Sequence, residues 1–268
     1  MFITRTIVGL LAAALLLGVV LLHGVYIQVA VVVAALIMEY EMIKTIKAGD
    51  KIRPIEPVLY LVSLALPFMF YCFGDTGALY TLVGGLIVLL LCGITCKRYG
   101  MESVCYSAFA MLYPQILLLF FYKMVLVEDV AQSQMMIFLA FAAAICEDTL
   151  AYYVGRLFGK HKLCPNLSPK KTVEGAAGGL AGGIIGTVAI ALIFGNRGVH
   201  IGWYVLLGAV LGVLCQFGDL AASMVKRHFG VKDFGHLLPG HGGLMDRLDS
   251  TIFILPVVWL FFLYTTGV

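Results

Sequence analysis

Apolar residues run along this chain in long blocks, separated by short polar segments. Nine blocks approach or reach the roughly 20 residues a helix needs to cross a bilayer. They fall at about 5–23, 25–43, 57–73, 77–96, 104–126, 135–155, 175–194, 202–222 and 251–266. The pattern predicts an all-α, polytopic membrane bundle of about nine helices. A tight turn near His23-Gly24 joins the first two spans, and Pro114 lies inside the fifth, where it is expected to kink the helix. Residues 1–134 hold five spans and few polar groups. Residues 135–268 hold the other four and all the clustered polar motifs.

Composition supports the membrane reading. The chain is 62% hydrophobic and 12% charged, against about 25% charged in a soluble domain. A net charge of +3 is too small to suggest a nucleic-acid partner. The placement of the charges says more. Of 18 basic residues, 16 fall on one predicted side: Arg5, the group Lys44 to Arg53, Lys97 and Arg98, the group Arg156 to Lys171, and the group Lys226 to Arg247. Only Lys123 and Arg197 fall on the other. Basic loops stay cytoplasmic, so the amino terminus and every polar motif are expected there. The first apolar run has no small-residue cleavage site and reads as an uncleaved helix. The seven cysteines form no CxxC pair and read as small hydrophobes.

Glycine is also patterned. Gly178, Gly182 and Gly186 repeat every four residues, as do Gly175, Gly179 and Gly183, and Gly208 with Gly212. Such stripes let helix backbones approach closely. They suit a homodimer seam or packing within one subunit.

Three polar clusters lie at predicted cytoplasmic helix ends. In the first, Glu147-Asp148-Thr149 leads to Tyr152 and Tyr153, with Asp148 and Tyr152 on one helix face. Acids at such a depth are costly and call for a reason. The second runs from Arg156 through Lys160-His161-Lys162 to Ser168-Pro169-Lys170-Lys171-Thr172, with Glu174 in the next helix's first turn. Free N–H groups at a helix start favour an anion, which Lys171 and Ser168 could help hold. Attraction to anionic lipid headgroups explains the same charges. The third begins in span eight, where Asp219 and Ser223 share a face, and continues through Lys226, Arg227, Lys232, His241, Gly242 and Gly243 to Asp246, Arg247 and Asp249. A divalent cation or Lys226 would relieve the charge of Asp219. Asp219 and Asp246 could meet at one metal ion, and Mg²⁺ fits best because it takes few carboxylates and leaves positions for phosphates. His236 and His241 lack the spacing of a zinc site. His241-Gly242-Gly243 would leave backbone N–H groups open to phosphate.

The stretch Ser223-x-Val225-Lys226-Arg227, Lys232-Asp233, Leu238-Pro239-x-His241-Gly242-Gly243, Asp246-Arg247-Leu248-Asp249 resembles the signature of the phosphatidate cytidylyltransferases. The run from Asp148 to Gly175 resembles the same family, so the likeness covers roughly residues 147–250. It departs at Leu150 and Lys170, where glycine is frequent, and at Val173, where tryptophan is. No carboxylate is lost. The resemblance implies transfer of a cytidylyl group from CTP to phosphatidic acid, giving CDP-diacylglycerol and pyrophosphate, in a bacterial plasma membrane. It further implies that Asp219 and Asp246 hold Mg²⁺, which some members pair with K⁺, with Asp249 and Asp148 assisting. Lys226, Arg227, Lys232, His241 and Arg247 would hold phosphates, and Lys171, Ser168, Ser223 and Tyr152 would lie on the substrate side.

Two other classes compete. A CTP-using lipid kinase or another head-group transferase would use similar groups, although the Ala-Arg portion of the CDP-alcohol phosphotransferase pattern is missing. A transporter for an anionic solute would explain buried acids and basic loops. It would not need three phosphate-type clusters on one membrane face.

Overall fold

Leucine, valine, isoleucine and alanine dominate each apolar block, and in lipid a helix is the way for a single segment to satisfy its own backbone. The computed structural model describes residues 2–49, 52–237, 240 and 242–267. Its helices are α1 (Phe2–Leu22), α2 (Gly24–Lys47), α3 (Glu56–Thr95), α4 (Met101–Val125), α5 (Val130–Phe158), α6 (Val173–Ile193), α7 (Ile201–His228) and α8 (Met245–Thr266). Among the described residues, six helices, α3 to α8, are long and apolar enough to cross a membrane. The chain is thus a helical membrane protein.

Helix α3 is 40 residues long but not straight. Gly74 takes φ 59° and ψ −145°, which breaks the helical path. Beyond it the chain doubles back, so that a Cβ at Gly85 would lie 2.7 Å from Val62 Cγ2. Only glycine adopts such a φ without strain. A similar break at His23, with φ 50°, and Gly24, with φ 57°, separates α1 from α2.

The chain forms two compact units. The first comprises Met1–Tyr122 with Lys226–Arg247, and the second Lys123–Val225 with Leu248–Val268. The first is built on Met38, Met42, Ile46, Leu59 and Val62, all buried. Polar groups at its centre are linked by hydrogen bonds. Gln115 Nε2 donates to Glu39 Oε2 at 3.0 Å and to Ser63 Oγ at 2.8 Å, because unmatched polar groups are expensive away from water.

The second unit depends on glycine. A Cβ at Gly178 would fall 2.6 Å from Val154 Cβ, and one at Gly182 would fall 2.7 Å from the Cys146 carbonyl carbon. A Cβ at Gly183 would meet Gly212 Cα at 2.7 Å, and one at Gly208 would meet Ile184 Cα at 2.6 Å. Both glycine stripes are therefore used inside the subunit, bringing α6 against α5 and α7. They are not free to form a seam between two copies.

One element departs from the all-α expectation. Two short strands, β1 (Lys162–Cys164) and β2 (Ser168–Thr172), pair antiparallel with Lys162 opposite Thr172 and Cys164 opposite Ser168. The segment has no amphipathic periodicity to bury, so its backbone groups pair across a hairpin instead.

Candidate active site

In the second unit the hairpin leads directly into helix α6. Thr172 ends β2 and caps the helix, its Oγ1 accepting from Gly175 N at 3.1 Å. Glu174, in the first turn, reaches back to the preceding loop. It accepts from Lys160 N at 3.0 Å and from His161 N at 3.2 Å, and contacts His161 Nδ1 at 2.6 Å. The chain's own side chains thus serve this helix start, where the sequence suggested an anion. The cap fixes Lys171, the residue before it. Lys171 Nζ lies 2.5 Å from Asp219 Oδ2, with both side chains only partly exposed. The side-chain cation beside Asp219 is therefore Lys171; Lys226, which with a divalent cation was one of the two expected partners, pairs with Asp246 instead.

Further acids surround this pair. Buried Glu147 is hydrogen-bonded to Asp148 and senses the charges of Lys171 and Asp219. Cys215, fully buried on α7, lies within electrostatic range of Glu147, Asp148, Asp249 and Lys171. Gln216 on α7 anchors the cluster, its Nε2 donating to Ala176 O at 3.0 Å and to Gly212 O at 3.1 Å. Gly179 makes the room, since a Cβ there would meet Gln216 Nε2 at 3.1 Å and collide with the Glu147 carboxylate. Gly218, beside Asp219, has the same role towards α8, where a Cβ would fall 2.8 Å from Asp249 O. Asp249 is buried, and its Oδ1 accepts from Ser250 N at 2.7 Å.

The first unit holds the other half of the signature. Lys226 Nζ lies 2.7 Å from Asp246 Oδ1 and 5.2 Å from the centre of the Phe234 ring. Asp246 Oδ2 accepts from Phe234 N at 2.8 Å and from Gly243 N at 3.0 Å. One carboxylate therefore ties α7's end, the loop at Phe234 and the glycine pair together. Gly242 takes φ +85°. The Gly243 N–H, expected to be open to phosphate, is occupied by Asp246. The N–H groups of Leu244 and Met245 are also taken, donating to Glu41 Oε1 at 2.9 Å and Oε2 at 2.8 Å.

The remaining candidates fall on the surface or beside these groups. Arg227, Lys232, Arg247 and Asp148 are exposed, and Arg227 Nη1 donates to Val231 O at 2.9 Å. Ser223 is buried on α7, and Ser168 is half-buried at the start of β2. Tyr152 is exposed and receives a bond from Arg156 Nη1 at 3.1 Å, so its hydroxyl serves Arg156. His241 lies outside the described residues. Three residues that sequence reasoning left out of the site have defined parts in it: Glu147, Gln216 and Glu41. Glu147 lies within the first polar cluster, and Gln216 stands three residues before Asp219 on α7. Glu41 had no signal beyond being an acid in an apolar helix.

The donor chemistry suits a hard divalent cation. Among the described residues no three His, Cys, Asp or Glu side chains converge as a ready-made ligand group. Asp219 nevertheless leaves Oδ1 unengaged among the described residues of its unit, and its neighbours are carboxylates rather than thiolates or imidazoles. Mg²⁺ is characteristically held by one or two carboxylates, with water and phosphate completing the shell. The residues present fit such an ion.

The sequence model of the cytidylyltransferase family matches residues 3–265. Among curated proteins, the phosphatidate cytidylyltransferase of Staphylococcus haemolyticus is 33% identical over 260 residues, covering 95% of this chain and 96% of that protein. The phosphatidate cytidylyltransferase of Staphylococcus aureus is 33% identical over 262 residues, covering the same shares. That of Staphylococcus epidermidis is 32% identical over 270 residues, covering 97% of this chain and 99% of that protein.

Proposed function

The chain belongs to the cytidylyltransferase family, and from that premise we propose that it transfers a cytidylyl group from CTP to phosphatidic acid. The products are CDP-diacylglycerol and pyrophosphate, and the reaction serves phospholipid biosynthesis. The observation that carries this reading is the Lys171–Asp219 pair among Glu147, Asp148 and Asp249. Cations for phosphate and acids for a metal that phosphate also binds are brought together at helix ends.

A phosphate oxygen of the lipid attacks the α-phosphorus of CTP, and the bond from that phosphorus to the bridging oxygen of pyrophosphate breaks. Both reactants are anions, so positioning and charge neutralisation are the main needs. The lipid phosphate is already ionised near neutral pH, which removes the need for a separate general base. Lys171, Lys226, Arg227, Lys232, His241 and Arg247 supply positive charge to phosphates. Asp246 keeps the Phe234 loop and Gly243 in one arrangement while Lys226 is held at its side. Mg²⁺ would be held by Asp219, with Asp246 as the second carboxylate the family resemblance implies, and would neutralise charge on the phosphates it orients. Asp246 has a lone pair left for this, because a carboxylate offers about four acceptor sites and three hydrogen bonds are made. Some family members pair Mg²⁺ with K⁺, and we extend that pairing to this chain.

We also propose nine membrane crossings, counting α1, α2 and each arm of α3 separately. The amino terminus and the reaction then lie on the cytoplasmic side of a bacterial plasma membrane. The asymmetry of Lys and Arg supports this arrangement.

The test is incorporation of labelled CTP into chloroform-extractable lipid by purified protein in detergent. Product should form only with phosphatidic acid and Mg²⁺ present. Asp219→Ala and Asp246→Ala should each abolish turnover while the protein stays folded. Retained turnover in either variant would reject the metal assignment.

A further inference from the structure

Glu41 belongs to α2, far in sequence from the signature, yet it is one of the most heavily used carboxylates in the first unit. It is 2% exposed. Both oxygens accept from the start of α8, Leu244 N at 2.9 Å and Met245 N at 2.8 Å. Helix starts leave such N–H groups without partners, and a residue just before the helix usually supplies the cap. Here the cap comes from another helix more than 200 residues away.

The loop is shaped to admit this carboxylate. A Cβ at Gly243 would stand 2.6 Å from Glu41 Cδ, and a Cβ at Gly235 would stand 2.9 Å from it. Neither glycine has a positive φ, so the turn does not demand glycine at these positions. Space for Glu41 does. Beside the contact a cavity of about 410 Å³ opens between α2 and the loop, lined by Leu36, Ile37, Tyr40, Lys44, His236 and Leu237. His236 and Leu237, on its rim, are exposed. The hydrogen bonds from Leu244 N and Met245 N to Glu41 tie the start of α8 to α2 beside this opening.

We infer that Glu41 is a positioning residue, holding the glycine pair Gly242–Gly243 and the start of α8 in the arrangement that presents Asp246 and its neighbours to CTP. The inference rests on the cytidylyl-transfer reading for its kinetic consequence, though not for its structural one. Glu41→Gln keeps one acceptor and turns an amide donor towards a backbone N–H. A charge-assisted bond is lost and a repulsion is gained.

The experiment compares wild type, Glu41→Gln, Gly243→Ala and the double variant as full-length protein in detergent. Hydrogen–deuterium exchange of the peptide containing Leu244 and Met245 should quicken about tenfold in Glu41→Gln, the scale of one lost charge-assisted bond. Exchange of the α5 and α6 peptides should not change. kcat/KM for CTP, measured per folded protein at a temperature well below the unfolding of every variant, should fall about tenfold or more. The double variant should be no worse than Gly243→Ala, since both changes disturb one contact. Unchanged exchange at Leu244 and Met245, wild-type kinetics, additive losses, or activity lost only in step with folded protein would each overturn the inference. If the wild type failed to turn over CTP, the functional reading would fall. The exchange arm alone would then decide whether Glu41 holds the loop.

Discussion

The Lys226–Asp246 pair should be strongly coupled, and the structure sets the size of the effect. The two side chains are 10% and 4% exposed, and their polar atoms are 2.7 Å apart. An exposed pair would contribute at most about 1 kcal/mol. Removing one member of a buried pair leaves an uncompensated charge and costs about 3–5 kcal/mol. Asp246→Asn is such a removal. Its carbonyl can still accept from Phe234 N and Gly243 N, but its amide must then face the Lys226 ammonium. Lys226→Met is gentler, because Asp246 keeps two backbone donors, and about 2 kcal/mol is expected. In the double variant the ammonium is absent, and the asparagine can keep the backbone bonds. Its cost should be about 2–3 kcal/mol, well below the sum of the single costs. A coupling of at least about 2 kcal/mol follows. Equilibrium unfolding in mixed detergent micelles, followed by circular dichroism, measures all four proteins. Additivity within about 0.5 kcal/mol would show that the two residues do not stabilise each other.

Gly183→Ala should destabilise the second unit by about 1–3 kcal/mol, because its Cβ would lie 2.7 Å from Gly212 Cα; the same unfolding assay reads the change. Asp129 caps α5, and its carboxyl is held below the usual carboxylate range, first by the N–H of Gln132 and then by Arg197. The depressed group stabilises the fold above its ordinary value of 3.8 and loses that effect as pH falls through the folded value. Asp129→Asn should therefore flatten stability against pH in the acid range, and an acid titration of unfolding checks it. Chelation should abolish turnover, and Mg²⁺ should restore it where Zn²⁺ does not, as an activity assay with each metal added back would show.

The apolar blocks made most helices legible, because a membrane-length run has few other ways to satisfy its backbone. The acids and cations of the signature were legible for the same reason: Asp219 or Asp246 in an apolar setting needs a partner. Which partner was not legible. Lys226 lies seven residues from Asp219 on α7, on a spacing that brings it to the same face, but it pairs with Asp246. The match for Asp219 is Lys171, set by the Thr172 cap and the β1–β2 hairpin. Neither of those follows from hydrophobic periodicity. Glu41 was hidden because its partners are backbone N–H groups, which leave no mark on residue type. The glycine stripes were visible, but spacing alone cannot say whether a neighbour belongs to the same chain.

The central claim is that the α-phosphorus of CTP, with its nucleoside, is what moves to the lipid. Parallel reactions with CTP labelled at the α- or the γ-phosphate, in the presence of phosphatidic acid and Mg²⁺, test it most directly. The account predicts α-label in the lipid phase and γ-label in water-soluble pyrophosphate. γ-Label appearing in the lipid would mean a kinase, and either that result or no transfer of α-label would contradict the account.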